Sequence, residues 1–137
     1  MNFIYQRRIY FSETDAAGVV YFANFLSFCH EAYEEALRSS NIELQQLFEN
    51  RQIVIPIIHA ECDYLRPLKC GDKIEIEITS EIKNAESFSL HYELFRLSPR
   101  KRSARARTEH LCIDPKSRKR KPLPPNFHQF LSQFQKT

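Results

Sequence analysis

The chain has 137 residues, of which 42% are apolar, and a formal net charge of +3 at pH 7. This length predicts one domain over residues 1–137, and the apolar fraction excludes a disordered chain. The small net charge does not favour a nucleic-acid partner. The sequence has no apolar signal segment at its start and no run of about 18 apolar residues, so we expect no membrane partner. Its four cysteines form no CxxC pair, which favours free thiols in the cytoplasm.

The first predicted element is a strand that leads into a loop containing Asp15. Alternate positions put Phe3, Tyr5, Ile9 and Phe11 on one face of this strand, with Arg7 interrupting it. Gly18 can bend the loop because it lacks the Cβ that disfavours positive φ. Free N–H groups at the start of the next helix can bind an oxyanion, and a carboxylate there can attack a substrate or activate water. The alternative is that Asp15 only closes a turn or caps the helix.

The longest helix-like run extends from about residue 24 to 39. Its apolar residues form two stripes, Phe22/Leu26/Cys29/Tyr33/Leu37 and Phe25/Phe28/Ala32/Ala36. Two stripes are typical of a helix that is covered on most sides. A second short helix is predicted from residue 42 to 50, with Asn41 as its cap.

Four more strands are predicted after the helices, before a short terminal helix near residues 127–134. Residues 53–58 are continuously apolar, as in a strand buried on both faces, although Pro56 indicates an edge or a bulge. Period-two patterns follow at 74–82, at 88–94 and, after a basic loop at 98–102, at 103–113. Because short turns join these strands, we expect an antiparallel meander packed on the long helix, an α+β fold.

The segment from Asp15 to Phe25 (DAAGVVYFANF), followed by His30-Glu31-Ala32-Tyr33-Glu34, resembles the hot-dog-fold acyl-CoA thioesterases of the 4-hydroxybenzoyl-CoA thioesterase type. Within that family it is most similar to the 1,4-dihydroxy-2-naphthoyl-CoA thioesterases of phylloquinone (vitamin K1) biosynthesis. The resemblance implies a hot-dog fold, in which an antiparallel sheet of about five strands wraps around one long central helix. It also implies an acyl-CoA substrate, no cofactor, and a homo-oligomer, a dimer or a dimer of dimers (homotetramer), with active sites at the subunit interface.

The same resemblance implies the roles of individual residues. Asp15 is the expected catalytic group, as nucleophile or as base, and the backbone N–H of Phe22 is the expected oxyanion donor. Many family members carry a His at this position. Because this chain has Phe22 there, the role of that His is not assigned to it. Substrate contacts are predicted at Gly18, Tyr21, Asn24 and His59. Gly18 also fits an ordinary turn and Asn24 a helix cap, and His59 would reach the pocket of a neighbouring subunit.

Basic residues are the candidates for holding the coenzyme A phosphates. Lys83, Arg100 and Arg102 are the predicted contacts, because guanidinium and ammonium groups bind phosphate. The simpler reading is that these side chains are solvated. No metal is expected, because the spacings His59-x-x-Cys62 and His110-x-Cys112 are incomplete ligand sets.

Other functions stay open at this point. Within the enzyme class, the acyl group is alternatively hydroxybenzoyl or a short chain, and His30 either contacts a hydroxylated ring or is structural. Outside that class, the chain is a non-catalytic acyl-binding or nucleic-acid-binding module that uses its basic loops. Against nucleic acid, the sequence has no Gly-rich aromatic RNA-binding strand, KH loop or paired-Cys finger.

Overall fold

The computed structural model describes residues 2–136 and contains five strands and three α-helices in that range. In chain order these are β1 (Phe3–Arg8), a 3₁₀ turn (Phe11–Glu13), α1 (Ala23–Ser39), α2 (Leu44–Glu49), β2 (Ile57–Tyr64), β3 (Lys73–Ile82), β4 (Ser87–Leu97), β5 (Arg100–Leu111) and α3 (Pro125–Gln133). The predicted α+β class, the long helix and the short terminal helix are therefore confirmed. No helix among the described residues has the length and apolar character needed to cross a bilayer.

The strands form one antiparallel sheet in the order β1-β3-β4-β5-β2. The predicted meander is correct for β3, β4 and β5, which follow one another in space. It is wrong for the two outer strands, because β1 pairs with β3 and β2 pairs with β5. Helix α1 connects β1 to β2 across the face of the sheet, and so the two strands lie at opposite edges.

The core lies between one face of the sheet and α1. Ile74, Ile76 and Ile78 of β3 point inward and are fully buried, as the period-two pattern predicts. Helix α1 buries both predicted stripes over its length, through Phe25, Phe28, Cys29, Ala32, Tyr33, Ala36 and Leu37. Two residues of the first stripe are exceptions: Leu26 is only partly buried, and Phe22 precedes the helix and is 59% exposed.

The continuously apolar run at 53–58 is not a strand buried on both faces. Only its last two residues belong to β2, and Ile57 and Ile58 are 41% and 55% exposed. Strand β2 is an edge strand that α1 covers incompletely, and this explains why apolar side chains there remain in contact with solvent. The indication from Pro56 that this segment belongs to an edge was correct.

Three local predictions also differ from the structure. Arg100–Arg102, predicted as a loop, begins β5. Phe11, predicted on the inner face of the first strand, lies in the 3₁₀ turn and is 82% exposed. Asn41 does not cap α2, because its φ is +61° and the cap position is Glu43.

Candidate active site

Asp15 lies in a tight turn that its own backbone closes. The Asp15 N–H donates to the Val19 carbonyl at 2.9 Å, and the Gly18 N–H donates to the Asp15 carbonyl at 3.0 Å. Gly18 has a φ of +80°, the left-handed conformation that favours glycine. The Ala17 N–H donates to Asp15 Oδ1 at 2.8 Å. The carboxylate thus stabilises the turn with one oxygen while the exposed side chain keeps its other oxygen available for chemistry.

The turn is fixed to the rest of the molecule on its far side. The Val20 N–H donates to the Leu68 carbonyl at 2.8 Å, and Val19 pairs with Lys69 in an isolated bridge. The Tyr21 N–H then donates to the Glu13 carbonyl at 3.1 Å. These contacts hold Asp15 at a constant position relative to the start of α1.

The start of α1 presents a free backbone donor. Phe22 occupies the N-cap position, and its N–H has no acceptor among residues 2–136, which is the usual state of the first N–H groups of a helix. The Phe22 carbonyl accepts a hydrogen bond from the Tyr64 hydroxyl at 3.0 Å. Strand β2 therefore holds Phe22 through its carbonyl, while the Phe22 N–H, which belongs to the preceding peptide group, has no acceptor among residues 2–136.

Asp15 and Phe22 border the same open pocket of about 420 Å³. Aromatic side chains form much of its wall: the Tyr21 and Phe22 rings lie 4.8 Å apart, and Tyr64 packs edge-on against Phe25 at 5.1 Å. Arg66 is the one basic side chain that lines it. The described residues that line the pocket thus include an exposed aspartate, a residue whose N–H is unpaired, several aromatic rings and one arginine.

Asn24, a predicted substrate contact or cap, makes a different interaction. It lies inside the first turn of α1, and its side-chain amide donates to the Glu13 carbonyl at 2.9 Å. The cap position belongs to Phe22 instead. Asn24 therefore ties the helix start to the 3₁₀ turn, and its amide is engaged below the pocket.

Arg7 supports the loop from beneath, and sequence reasoning missed this role. Its guanidinium contacts both carboxylate oxygens of Glu13, at 2.6 and 2.5 Å, and Glu31 at 3.1 Å. It also lies 4.2 Å above the Phe28 ring. Tyr5 donates to Glu31 at 2.8 Å, and burial together with this carboxylate raises the pKa of Tyr5 to about 12. The sequence contained one signal of this role, because Arg7 interrupts the apolar face of the first predicted strand and a charge at such a position needs a partner.

His59 does not reach Asp15 within the chain. It lies on β2 with its ring exposed and 3.1 Å from Glu61. Tyr64 lies five positions further along the strand, which corresponds to about 16 Å. A contact between His59 and a substrate at Asp15 would have to involve a second copy of the chain.

The three predicted phosphate contacts do not line the Asp15 pocket, although the Arg102 carbonyl accepts a hydrogen bond from Arg66 at 2.8 Å, and each of the three side chains is paired with a carboxylate. Arg100 contacts Glu75 at 2.7 Å, and this hydrogen bond raises the pKa of the Arg100 guanidinium. Arg102 lies 3.0 Å from Glu93, and Lys83 lies 3.6 Å from Glu109. Within residues 2–136, no group of three or more His, Cys, Asp or Glu side chains is placed to hold a metal ion.

Known proteins are similar to this chain in sequence and in architecture over almost its whole length. Residues 9–131 match the model of the thioesterase-like superfamily. A 1,4-dihydroxy-2-naphthoyl-CoA hydrolase from Trichodesmium erythraeum is 44% identical over 136 residues, covering 98% of this chain and 99% of that protein. A protein of the same name from Crocosphaera subtropica is 47% identical over 128 residues, covering 93% of each.

A solved structure gives the same result for the fold. A 1,4-dihydroxy-2-naphthoyl-CoA thioesterase from Synechocystis superimposes with a TM-score of 0.93 at 37% identity, covering 96% of each chain. This likeness confirms the predicted hot-dog arrangement of sheet and central helix.

Proposed function

The chain belongs to the thioesterase-like superfamily, and we propose that it hydrolyses 1,4-dihydroxy-2-naphthoyl-CoA to 1,4-dihydroxy-2-naphthoate and CoA, a step of phylloquinone biosynthesis. The observation that carries this proposal is the pocket that Asp15 and Phe22 line together, where the Phe22 N–H has no acceptor among residues 2–136. Relatives at 44% and 47% identity bear the name of this activity. Their similarity supports the choice of acyl group.

The proposed reaction uses Asp15 and the Phe22 N–H together. The N–H binds the thioester oxygen and stabilises the negative charge that develops on it. Asp15 either attacks the carbonyl carbon or takes a proton from a water that does so. In the first case CoA leaves as a thiolate, and water then hydrolyses the mixed anhydride. In the second case the tetrahedral intermediate expels the thiolate directly, and both routes release the same acid.

The aromatic walls favour a flat acyl group. Tyr21 and Phe22 are 48% and 59% exposed. Neighbouring large rings that are this exposed are typical of a surface that binds a ligand. Tyr21 is a proposed substrate contact, and Gly18 provides the turn that brings Asp15 to the pocket. In this proposal Asn24 positions the start of α1 and does not bind the substrate, because its side-chain amide already donates to the Glu13 carbonyl.

We also propose that two copies pair through their β2 edges. The surface beside this edge exposes Ile57, Ile58, Tyr64 and Leu65 at 41–55% each, and an open strand edge invites pairing with another chain. In an antiparallel pair, the Ile57 end of one copy lies beside the Tyr64 end of the other. His59 of the partner subunit then approaches the Asp15 pocket, which would complete the predicted site. A dimer of such dimers remains the proposed larger assembly.

The coenzyme is expected at the basic side of the pocket. Arg66 lines the pocket directly, whereas Lys83, Arg100 and Arg102 must exchange a carboxylate for a phosphate in order to contribute. Phosphate contacts of this kind weaken with salt. The KM should rise with ionic strength more for the CoA thioester than for a pantetheine thioester. We place the reaction in the cytoplasm, where buried single thiols such as Cys29 and Cys112 stay reduced.

A panel of thioesters tests the proposal. The value of kcat/KM should be highest for 1,4-dihydroxy-2-naphthoyl-CoA, lower for hydroxybenzoyl-CoA and lowest for butanoyl-CoA. Equal or better turnover of butanoyl-CoA would replace the aromatic substrate by a short-chain one. Binding of all three without hydrolysis would instead indicate a non-catalytic acyl-binding protein.

A further inference from the structure

A second groove of about 350 Å³ lies between α1 and β2, next to the Asp15 pocket. Leu26, Ile57 and Ala60 give it apolar walls. Its polar lining consists of Tyr92 and Thr108 on the sheet, which we call its floor, and of Ser27 and His30 on α1. Leu26 follows Phe25, which lines the Asp15 pocket. Leu26 lies one helical turn beyond Phe22, or about 6 Å along the axis. An aromatic acyl group held at Asp15 can therefore extend into this groove.

The floor of the groove is the outer end of a buried hydrogen-bonded chain. The Tyr92 hydroxyl lies 2.9 Å from Thr108 Oγ1, which lies 2.7 Å from His110 Nε2. Tyr92 is 1% exposed and His110 is fully buried. His110 Nδ1 has no hydrogen-bond partner among the described residues. Burial, together with the nearby charge of His30, lowers the pKa of His110 to about 3, so the ring is neutral and carries one N–H.

The hydrogens of this chain can be counted. Tyr92, Thr108 and neutral His110 own three polar hydrogens and share two hydrogen bonds, which leaves one hydrogen unused. With the imidazole hydrogen on Nδ1, the unused donor is an N–H buried between the stacked Phe88 ring, 4.5 Å away, and the Tyr33 ring, 5.0 Å away. A buried donor without an acceptor is costly.

The other tautomer removes that cost. With the hydrogen on Nε2, His110 donates to Thr108 and Thr108 donates to Tyr92. The unused hydrogen is then the Tyr92 O–H, at the floor of the groove, where a bound molecule can accept it. Only a lone pair is left without a partner, at Nδ1.

We propose that Tyr92 donates this hydrogen to an oxygen substituent on the ring of the acyl group, so that the Tyr92–Thr108–His110 chain selects hydroxylated aryl groups over unsubstituted ones. The inference rests on the proposed function and adds its specificity residues. Thr108 and His110 act through Tyr92 and are positioning residues. Because all three are fixed in the core, the donor is oriented before the substrate binds.

The test compares two substrates in one variant. Tyr92→Phe removes only the hydroxyl, and kcat/KM is measured for 1,4-dihydroxy-2-naphthoyl-CoA and for 2-naphthoyl-CoA. The ratio of the two values should fall roughly two- to tenfold, which corresponds to one hydrogen bond between neutral groups. A purely structural effect would lower both values and leave the ratio unchanged, and an unchanged ratio overturns the inference. Thr108→Val, which removes the middle hydroxyl of the chain and keeps the Tyr92 side chain, should also lower the ratio and replaces Tyr92→Phe if that variant does not fold.

Tyr33→Phe is the matched control. It removes a hydroxyl from another buried tyrosine next to His110 that does not line this groove, and it should leave the ratio at the wild-type value. If the wild type hydrolyses neither aryl thioester, the proposed function is wrong. The same ratio is then measured from the dissociation constants of 1,4-dihydroxy-2-naphthoate and 2-naphthoate, where an equal preference in wild type and Tyr92→Phe overturns the inference independently.

Discussion

The Tyr64 hydroxyl on β2 donates a 3.0 Å hydrogen bond to the carbonyl oxygen of Phe22 at the start of α1. This bond fixes the peptide group between Phe22 and Ala23. The preceding peptide group carries the Phe22 N–H, the proposed oxyanion donor, and its Tyr21 carbonyl accepts a hydrogen bond from the Asn24 N–H at 2.9 Å. Phe22 is thus held by its own helix and by an edge strand that is far away in the sequence, and Tyr64 connects the proposed catalytic groups to the proposed dimer edge.

Asp15→Asn should abolish most of the activity and leave the fold intact. The amide oxygen of Asn can still accept the hydrogen bond from the Ala17 N–H, but the charge needed for attack or proton transfer is lost. General-base catalysis alone is worth roughly 10²–10⁴-fold, so kcat should fall at least about a hundredfold with little change in KM. Steady-state kinetics and the melting temperature measure the two effects.

Asp72→Asn is the control for this substitution. Asp72 also accepts a backbone hydrogen bond within a turn, from the Lys69 N–H at 2.9 Å, but it does not line the pocket. Its variant should keep wild-type kcat. If Asp15→Asn kept more than about a tenth of wild-type kcat while folding normally, the catalytic carboxylate would lie elsewhere.

Gly18→Ala and Gly71→Ala should cost the same stability but differ in activity. Both glycines have positive φ, +80° and +89°, and an added Cβ meets no atom within 4 Å at either site. The left-handed conformation alone should therefore cost about 1–2 kcal/mol of unfolding free energy in each variant. Only Gly18→Ala should also lower kcat, because the strained turn carries Asp15. Chemical denaturation and kinetics measure both, and equal kcat in the two variants would argue against a functional role of the Asp15 turn.

Ile58→Lys should weaken the proposed dimer, whereas Ile4→Lys should not. The two side chains are similarly exposed, at 55% and 51%, on the opposite edge strands β2 and β1. A lysine on a paired edge introduces a charge that must be desolvated, and charged edges are a common means of preventing strand pairing. Light scattering should show monomers and reduced activity for Ile58→Lys alone. Dissociation by Ile4→Lys instead would move the interface to β1.

The buried His110 should make the fold sensitive to mild acid. Its pKa is about 3 in the folded state, against 6.5 for a free imidazole, so the unfolded chain binds this proton first. The contribution of neutral His110 to the free energy of unfolding is fully present above pH 6.5. It is lost as the pH falls from 6.5 toward 3, at up to about 1.4 kcal/mol per pH unit.

Urea unfolding across this pH range measures the effect. His110→Gln should remove this part of the dependence of the unfolding free energy on pH. His128 is half-buried on α3, and His128→Gln should retain the dependence. A wild-type slope that persists in His110→Gln would assign the acid sensitivity to other groups.

Patterns in the sequence predicted the elements that local periodicity determines. The period-two strand around Ile76 and the two-stripe helix have the structure that their residues indicate. The position of β2 was not predictable in this way. The apolar residues Ile57 and Ile58 form the same sequence pattern whether the core or another chain covers them. The edge becomes visible only when the pairing of β2 with β5 is known.

The candidate site was predicted only where a local motif carries it. The motif around Asp15 led to the carboxylate and to the Phe22 N–H, which the fold brings to one pocket. Arg66 and Tyr64 lie more than 40 residues further along the chain, and no short-range pattern links them to that motif. Arg7 was noticed as an interruption in an apolar face, but its partners Glu13 and Glu31 were not, since they become neighbours through tertiary packing.

The contacts of Arg7 join the first strand to the Asp15 loop and to α1. Its guanidinium connects β1, through Glu13, to the segment that carries Asp15, and through Glu31 to α1. Local opening of proteins occurs in cooperative groups. Fraying of the edge strand β1 would remove this support from Glu13, while the contacts of Val19 and Val20 with Lys69 and Leu68 would still hold the Asp15 turn. Amide exchange in β1 therefore reports how often the Asp15 loop loses one of its two supports.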